Sequence, residues 1–290
     1  MRNTRLLWMM TGDCFMKLHF QKMHGAGNDF IVLDARAQML EITPEQAKFL
    51  CDRHLGIGCD TLVILDKATD ADVAVRFING DGSDSATCGN ATRCVADMVM
   101  RETGKDTARI ATTVGVLTAS RNAAGLITVN MGTPKFGWNE IPLSESRNTM
   151  HLGLEMGLLA DPAAVNMGNP HAIFFVRDLA HIKIAEWGAA LEHHPLFPER
   201  ANISAVQVLG DNHIKMAVWE RGAGITLACG SAACAAVAAG VRRGLIHPEC
   251  TVDLPGGTLE IHWKKNDGST SGDIFMSGPV AYVFEGVVEI

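Results

Sequence analysis

Several features that mark common functional classes are missing from this chain. Its 290 residues contain no run of Lys or Arg, and its net charge at pH 7 is −7. Neither nucleic acid nor an anionic membrane surface is therefore an expected partner. The eight cysteines include no Cys-x-x-Cys pair, no His-Glu-x-x-His stretch occurs, and no Lys stands in a recognisable pyridoxal-phosphate motif. These absences argue against a zinc site and against that cofactor, so we expect a protein that needs neither.

The composition also argues against a disulfide scaffold and against disorder. Eight thiols without a secretory signal are typical of the reducing cytoplasm, which is the predicted location. With 47% apolar and 20% charged residues, the chain can bury a substantial core. Its length suits two domains of ordinary size or one large domain.

One sequence pattern occurs twice. An apolar run at 73–78 leads into a turn rich in Gly, Asp, Ser and Asn, followed by Cys88-Gly89-Asn90-Ala91. A second apolar run at 214–219 leads into a glycine-rich turn and Cys229-Gly230-Ser231-Ala232. Each motif lies between a predicted strand and a predicted helix. Two such motifs, separated by about half the chain, indicate a duplicated domain that carries one thiol in each half.

Paired thiols suggest acid-base chemistry at a carbon atom. Two such groups that face each other across a cleft can remove a proton from one face of a carbon and return one to the other face, which is racemisation or epimerisation. The alternative for either thiol alone is structural, because free cysteine often packs as a small apolar side chain. The matched context of Cys88 and Cys229 favours the catalytic interpretation. Cys94 and Cys234 are expected to pack within the helices.

The predicted position of Cys88 at a helix N-terminus bears on its pKa. Unpaired N–H groups of the first turn and the helix dipole stabilise negative charge there. A thiol in such a position can have a pKa of roughly 3.5–7.5 instead of about 8.5. We therefore expect a lowered pKa for Cys88. The substrate carboxylate is expected to contact first-turn N–H groups of both helices, those of Gly89, Asn90, Gly230 and Ser231.

Strand and helix patterns alternate along the chain. A glycine-rich turn is predicted at 25–30, and a helix is predicted from Pro44 to about His54. The helix after Cys229 is apolar on every face over 233–241, which is typical of a helix buried all round. Composition shifts at 133–160, where Pro and polar residues concentrate, and this is the candidate boundary. Strands wrapped about one buried helix, twice over, define an α+β arrangement.

Five motifs together resemble diaminopimelate epimerases, and the resemblance covers nearly the whole chain from Met16. The segment at 20–30, Phe-Gln-Lys-Met-His-Gly-Ala-Gly-Asn-Asp-Phe, resembles the N-terminal signature of that family. Asn-Gly-Asp-Gly-Ser at 79–83, with the Cys88 motif, resembles its first cysteine motif. The later motifs follow in the order of the family: Gly-Asn-Pro-His at 168–171, Arg-Ala-Asn at 200–202, and Glu-Arg-Gly-Ala-Gly at 220–224 with the Cys229 motif.

Three residues depart from the family pattern. Ala91 and Ala232 stand where the family usually has Gly, and neither change should harm a helix start, because Ala is the better helix former by about 1 kcal/mol. Thr61 stands where relatives often have a Gln that contacts the substrate. Thr keeps a donor and an acceptor but has less reach, so this contact is left open.

The resemblance implies a fold of two similar domains. Each would be an antiparallel or mixed sheet around a central buried helix, with the active site in the cleft between the domains. It also implies that the last strand returns to the first domain. We therefore expect an N-terminal domain of residues 16–132 plus 278–290 and a C-terminal domain of residues 133–277. Residues 1–15 would be a disordered or non-native extension.

The resemblance further implies a cofactor-independent epimerase that interconverts LL- and meso-2,6-diaminopimelate, precursors of lysine and peptidoglycan, through Cys88 and Cys229. Besides the four N–H groups, the implied substrate contacts are Asn28, Thr61, Asn79, Asn169, Asn202, Glu220 and Arg221. His171 and Glu220 are implied to tune Cys229. The residues alone also fit plainer roles: an Asn in a Gly-rich turn often satisfies its own backbone, Glu220 fits a surface carboxylate, and His171 fits a core histidine.

Two other functions remain open from the sequence. The first is a racemase of the same superfamily that acts on proline or hydroxyproline, although Asn90 disfavours it because proline racemases usually carry His there. The second is a non-catalytic protein that binds a ligand or senses thiol redox state. The expected partners are a small-molecule substrate and, as an allowed assembly, a second copy of the chain in a homodimer.

The first patterned strand begins at Lys17, so we expect residues 1–15 to be dispensable. A chain that begins at Met16 should match the full chain in melting temperature and in turnover. Thermal unfolding and an activity assay on both chains test this. A large loss in either quantity would show that the segment packs into the fold.

Overall fold

The computed structural model describes residues 16–85, 88–264 and 271–290. Within these ranges the α-helices are α1 Pro44–Cys51, α2 Gly89–Thr103, α3 Ile184–Glu192 and α4 Gly230–Arg242, and a short 3-10 helix spans Leu179–His181. The strands of the first part of the chain are β1 Lys17–Gly25, β2 Asn28–Asp34, β3 Thr61–Asp66, β4 Val73–Asn79, β5 Asp84–Ser85, β6 Thr107–Thr112, β7 Gly115–Arg121 and β8 Ile127–Asn130. The later strands are β9 Glu155–Met156, β10 Leu159–Ala160, β11 Ala163–Asn166, β12 Pro170–Val176, β13 Asn202–Gly210, β14 His213–Glu220, β15 Gly224–Ile225, β16 Glu249–Leu254, β17 Gly257–Trp263, β18 Ile274–Gly278 and β19 Ala281–Glu289.

The strand pairings repeat between the two halves of the chain. From β1 to β8, omitting the short β5, neighbouring strands pair antiparallel, parallel, antiparallel, parallel, antiparallel and antiparallel. The strands from β11 to β18, omitting β15, pair in the same order and directions. Helix α1 and helix α3 occupy matching positions, as do α2 and α4. The predicted α+β fold with two similar domains is therefore confirmed.

Two strand pairings join the halves. The equivalent strands β8 and β18 pair antiparallel, so that the sheets of the two halves are continuous. Strand β19 runs back along β1 in antiparallel register. Beyond these strands, the backbones of Met16 and Ile290 exchange hydrogen bonds of 2.9 and 3.1 Å. The division into domains at residues 133 and 278 stays a prediction.

Each half wraps its sheet around one central helix. In α4, ten of the thirteen residues are buried, and Ala and small residues allow the surrounding strands to approach closely. The prediction of a helix buried on all faces is confirmed here. In α2, every residue from Gly89 to Met100 is buried, including Arg93 and Asp97. The sequence does not predict the burial of Arg93 and Asp97, because charged side chains are normally exposed.

Helix α1 has a complete capping box. The Thr43 side chain accepts a hydrogen bond from the backbone N–H of Gln46, and the Gln46 side chain accepts one from the backbone N–H of Thr43. Pro44 at the first position agrees with the prediction. The helix ends at Cys51 rather than near His54, because the chain turns away at Asp52, whose carboxylate accepts from the backbone N–H groups of His54 and Leu55.

The turn predicted at 25–30 is shorter in the structure. Strand β1 continues through Gly25 and β2 begins at Asn28, which leaves only Ala26 and Gly27 between them. Both have positive φ, 53° and 81°, as a two-residue hairpin turn requires. The short turn places Asn28 at the start of a strand. The candidate boundary at 133–160 is largely irregular, with short β9 and β10 at its end. The prediction for residues 1–15 lies outside the described residues.

The capping box gives a stability prediction. Replacing Thr43 by Ala removes the acceptor for the Gln46 N–H and should lower the free energy of unfolding by about 1 kcal/mol. The replacement of Thr43 by Ser keeps that acceptor and serves as the control, with little expected change. Urea unfolding of the three proteins measures the difference. Equal stability of the Ala and Ser variants would contradict the role of the cap.

Candidate active site

A cavity of about 640 Å³ lies between the two halves of the chain. Both buried helices begin at its wall, α2 directly after Cys88 and α4 directly after Cys229. The predicted site residues that line the cavity are Asn28, Thr61, Asn79, Cys88, Gly89, Asn90, Asn169, Asn202, Glu220, Arg221, Cys229, Gly230 and Ser231. His171 is the exception, since it lies behind the wall.

Each cysteine occupies the N-cap position of its helix. The backbone of Cys88 (φ −145°, ψ 100°) and that of Cys229 (φ −122°, ψ 112°) are both extended. Neither side chain makes the capping hydrogen bond that Ser, Thr or Asp would make at this position. The first-turn N–H groups of both helices are therefore left to the sulfur atoms and to the cavity.

The Cys88 thiol contacts a carboxamide that the protein holds in one orientation. Its Sγ lies 3.8 Å from Oδ1 of Asn28, and Asn28 Nδ2 donates to Asp60 Oδ2 at 2.8 Å. Asp60 is held in turn by Arg53, which also binds Asp29. Because Asp60 receives the N–H side of the carboxamide, the oxygen faces the thiol. This contact favours the protonated form of Cys88, since an oxygen acceptor would repel a thiolate.

The Cys229 thiol has a carboxylate neighbour. Glu220 lies beside Cys229 and its charge acts on the thiol, and Cys229 Sγ lies 3.5 Å from Oγ of Ser231. Glu220 also accepts a hydrogen bond from the hydroxyl of Thr226, which fixes the orientation of the carboxylate. The two thiols therefore have different partners, an amide oxygen for Cys88 and a carboxylate for Cys229.

The expected lowering of the Cys88 pKa is wrong for this structure. Burial raises the pKa of Cys88 to about 12, although the backbone N–H of Ala91 and the charge of Arg93 act in the opposite direction. Burial also raises the pKa of Cys229 well above its usual value, and the nearby charge of Glu220 adds to this. Burial likewise raises the pKa of Glu220. Removal from water outweighs the helix N-terminus here, so both thiols hold their protons near neutral pH.

His171 is completely buried. Its Nε2 lies 2.7 Å from Oδ1 of Asn169, and its Nδ1 has no partner among the described residues. Burial, with the positive charge of Arg221 as a smaller cause, lowers the pKa of His171 to about 3. The imidazole is therefore neutral and donates from Nε2 to Asn169, a residue of the cavity wall. Its influence on Cys229 stays a prediction.

Two other predicted residues already have protein partners. The Asn202 carboxamide donates to the carbonyl oxygen of Pro170 at 2.9 Å and accepts from the Arg221 backbone N–H at 2.9 Å. The Arg221 guanidinium donates to the carbonyl oxygen of Glu199 at 3.0 Å. Asn202 therefore fixes the backbone that carries Arg221, and its role as a direct substrate contact stays a prediction. Asn79 bonds Ser83 Oγ at 3.1 Å, and Thr61 is 7% exposed at the cavity wall.

Sequence reasoning missed Asp60 and Thr226, both of which line the cavity. Asp60 orients Asn28 and Thr226 orients Glu220. The sequence signal for both residues was their position, since Asp60 directly precedes Thr61 and Thr226 lies between the Glu-Arg-Gly-Ala-Gly segment at 220–224 and Cys229. Within the ranges described, no group of three His, Cys, Asp or Glu side chains could hold a metal ion. None of the described helices has the length and apolar character needed to cross a membrane.

Solved structures of other proteins share this fold of two similar halves. A hydroxyproline epimerase from Agrobacterium vitis, solved with bound trans-4-hydroxy-L-proline, superimposes with a TM-score of 0.70 at 14% identity, over 95% of this chain and 92% of that one. A phenazine biosynthesis protein of the PhzF family from Bacillus anthracis gives a TM-score of 0.67 at 18% identity, over 95% of this chain and 100% of that one. At such identities the likeness shows the shared fold: two similar halves, each with one central helix.

The sequence relatives define the family. The family model described as diaminopimelate epimerase matches residues 20–137 and 163–283. The chain is 48% identical to the diaminopimelate epimerase of Acidiphilium cryptum over 270 residues, 93% of this chain and 96% of the relative. It is also 48% identical to that of Gluconobacter oxydans over 273 residues, 93% of this chain and 99% of the relative. The chain belongs to the diaminopimelate epimerase family.

The buried His171 gives a pH-dependent prediction. Unfolded histidine binds a proton below about 6.5, whereas folded His171 does so only near pH 3. Between these pH values the unfolded state binds more protons than the folded state. The free energy of unfolding is therefore undiminished by His171 above pH 6.5 and falls as the pH falls below that value. The His171→Gln variant should show a shallower fall in the free energy of unfolding between pH 6 and 4, by up to about 1.4 kcal/mol per pH unit.

Urea unfolding across this pH range measures the slope. The same replacement at the exposed His247 is the matched control and should leave the slope unchanged. If His171→Gln and wild type had equal slopes, the buried neutral state assigned to His171 would be excluded.

Proposed function

We propose that this chain is an epimerase that interconverts LL- and meso-2,6-diaminopimelate, with Cys88 and Cys229 as its two acid-base groups. One observation carries the proposal: each half contributes a thiol at the start of its central helix, and both thiols line one cavity. Membership of the diaminopimelate epimerase family supports the choice of substrate. The reaction would supply precursors of lysine and peptidoglycan.

The chemistry requires stabilisation of charge at the reacting carbon. An amino-acid α-proton is far less acidic than a thiol, so negative charge that moves onto the substrate carboxylate must meet fixed donors in a site that excludes water. The N–H groups of the first turns of α2 and α4 are suited to this, because no side chain caps them. The proposed donors are those of Gly89, Asn90, Gly230 and Ser231.

The hydrogen bonds around the two thiols support a defined path for the protons. Glu220, the carboxylate beside Cys229, takes the thiol proton, and this transfer leaves the net charge of the buried site unchanged. The Cys229 thiolate then removes the α-proton from one face of the substrate. Cys88, which enters with its proton, returns that proton to the opposite face. In the reverse direction the two thiols exchange roles.

The remaining polar groups of the cavity are suited to the rest of the substrate. Diaminopimelate carries an amino and a carboxylate group at both ends, and the cavity of about 640 Å³ has room for both. We assign substrate contacts at the wall to Asn28, Thr61, Asn79, Asn169, Asn202, Glu220 and Arg221. The guanidinium of Arg221 suits a carboxylate. Neutral His171 acts behind the wall by holding Asn169.

The alternatives and the surroundings of the enzyme remain open to test. Hydroxyproline epimerase activity has the support of a shared fold, and a substrate panel distinguishes it from the proposed activity. A thiol redox sensor would not incorporate solvent deuterium at a substrate α-carbon. A cytoplasmic location, a homodimer and domains of 16–132 plus 278–290 and 133–277 are part of the proposal.

The two-thiol mechanism predicts that replacing either Cys88 or Cys229 by Ala abolishes inversion, because inversion needs a base and an acid on different faces. The double variant should be no worse than either single variant, since groups that act as one unit fail together. Cys94→Ala is the matched control. Cys94 is fully buried in α2, so its replacement should act on stability and leave turnover of the folded protein intact.

The measurement is α-proton exchange and stereochemical inversion of LL-diaminopimelate in deuterated water, with folding of each variant checked by circular dichroism. Near-parental inversion by Cys88→Ala or by Cys229→Ala would refute the mechanism. Inversion of proline or hydroxyproline in place of diaminopimelate would instead refute the choice of substrate.

A further inference from the structure

Arg93 is a charged residue in the core that the proposed chemistry does not use. It lies in α2, one turn after Cys88, and none of its surface is exposed. Its Nη1 donates to Asn90 Oδ1 at 2.9 Å and lies 3.4 Å from Met276 Sδ. Its Nε and Nη2 have no partner among the described residues. A buried cation without a carboxylate partner is energetically unfavourable, so its position calls for a specific role.

The surrounding backbone leaves space for the guanidinium. A Cβ atom on Gly25 would lie 2.9 Å from Nη2 of Arg93. A Cβ atom on Gly278 would lie 3.1 Å from both Cζ and Nε. Gly25 ends β1 and Gly278 ends β18. The guanidinium therefore lies in a slot between two strands, where side chains at either glycine would crowd it.

The partner of Arg93 joins the two halves of the site. Asn90 Nδ2 donates to Asn28 Oδ1 and to the carbonyl oxygen of Ala228, both at 3.1 Å. Asn28 Oδ1 is the atom that faces the Cys88 thiol. Ala228 directly precedes Cys229 at the start of α4. One buried carboxamide therefore connects the surroundings of both thiols.

The donation from Arg93 fixes which way this carboxamide points. If the Asn90 carboxamide turned over, its Oδ1 would face two acceptor oxygens, those of Asn28 and Ala228, and its N–H groups would face the guanidinium. Both changes are unfavourable, because acceptor meets acceptor and donor meets donor. Arg93 is not part of the cavity wall. Its charge acts to lower the pKa of Cys88, and the hydrogen bond through which it can hold groups of the site in place is the one to Asn90.

We propose that Arg93 is a positioning residue, which acts through Asn90 to hold the Cys88 and Cys229 helix starts at the separation that inversion requires. This proposal rests on the proposed two-thiol function. Loss of alignment by a small distance is sufficient for a large effect, because a misplacement of about 1 Å can slow a reaction about 100-fold.

The experiment measures kcat and KM for inversion of LL-diaminopimelate, per folded molecule, in wild type and four variants. Arg93→Met removes the donors and should lower kcat by about 100-fold with KM within about twofold. Arg93→Lys keeps a charge and a donor and should recover at least about tenfold of that loss. Val99→Ala is the control, because Val99 is buried in the same helix and should affect stability alone. The fourth variant is Asn90→Ala.

The route through Asn90 is tested by a double variant. If Arg93 acts through Asn90, the combination of Arg93→Met with Asn90→Ala should be no slower than Asn90→Ala alone. A double variant whose loss is the product of the single losses would overturn the proposal, as would an Arg93→Met protein with wild-type kcat and only a lower melting temperature. If Arg93→Met does not fold, Asn90→Ala decides: it should show the same loss in kcat of about 100-fold with KM within about twofold, and a wild-type kcat in that variant would overturn the proposal. A wild-type chain without inversion would refute the proposed function itself, and this inference with it.

Discussion

The structure depends on burying two helix N-termini against one cavity. The first-turn N–H groups of a helix lack partners within it and carry partial positive charge. At most helix starts a Ser, Thr or Asp side chain satisfies some of these groups. Here both N-caps are cysteines without the side-chain cap of a Ser, Thr or Asp, so the first turns of both helices face the thiols and the same cavity. An anionic group that entered this space would be stabilised by both helix N-termini, and the proposed role of these first turns in binding the substrate carboxylate rests on this.

Burial of these helices raises the pKa of the two thiols, whereas a helix N-terminus by itself would lower it. A helix can be held centrally only if a sheet surrounds it, and the sheet removes water from the cysteines at its start. The pKa values of both thiols rise for this reason. Deprotonation therefore depends on groups placed beside each sulfur. Asp60 turns the oxygen of Asn28 toward Cys88, and Thr226 holds Glu220 beside Cys229, which makes the two thiols chemically unequal before any substrate binds.

Local patterns predicted the elements well, because apolar periodicity and capping residues act over a few residues. The repeated cysteine motif correctly indicated two similar halves, and the all-apolar face pattern of α4 correctly indicated its burial. The burial of Arg93 and Asp97 in α2 could not be predicted, since a charged side chain in a sequence is normally read as exposed. The environment of Arg93 is set by strands distant in the chain, such as β18. The same reason explains the wrong pKa expectation for Cys88: the helix start is visible in the sequence, but the loss of water around it is not.

The pairing of β19 with β1 has a consequence for how the protein is made. These strands come from opposite ends of the described chain, yet they share one antiparallel ladder. During synthesis, at roughly 5–20 residues per second, β1 emerges on the order of tens of seconds before its partner exists. Strands β11 to β18 are complete before β19 appears, so the second half can assemble its own sheet while the first half still has an open edge. Strand β1 can pair with β2 as soon as both are made, but its other edge stays open until β19 is made, and this exposed edge is where a chaperone would have most reason to bind.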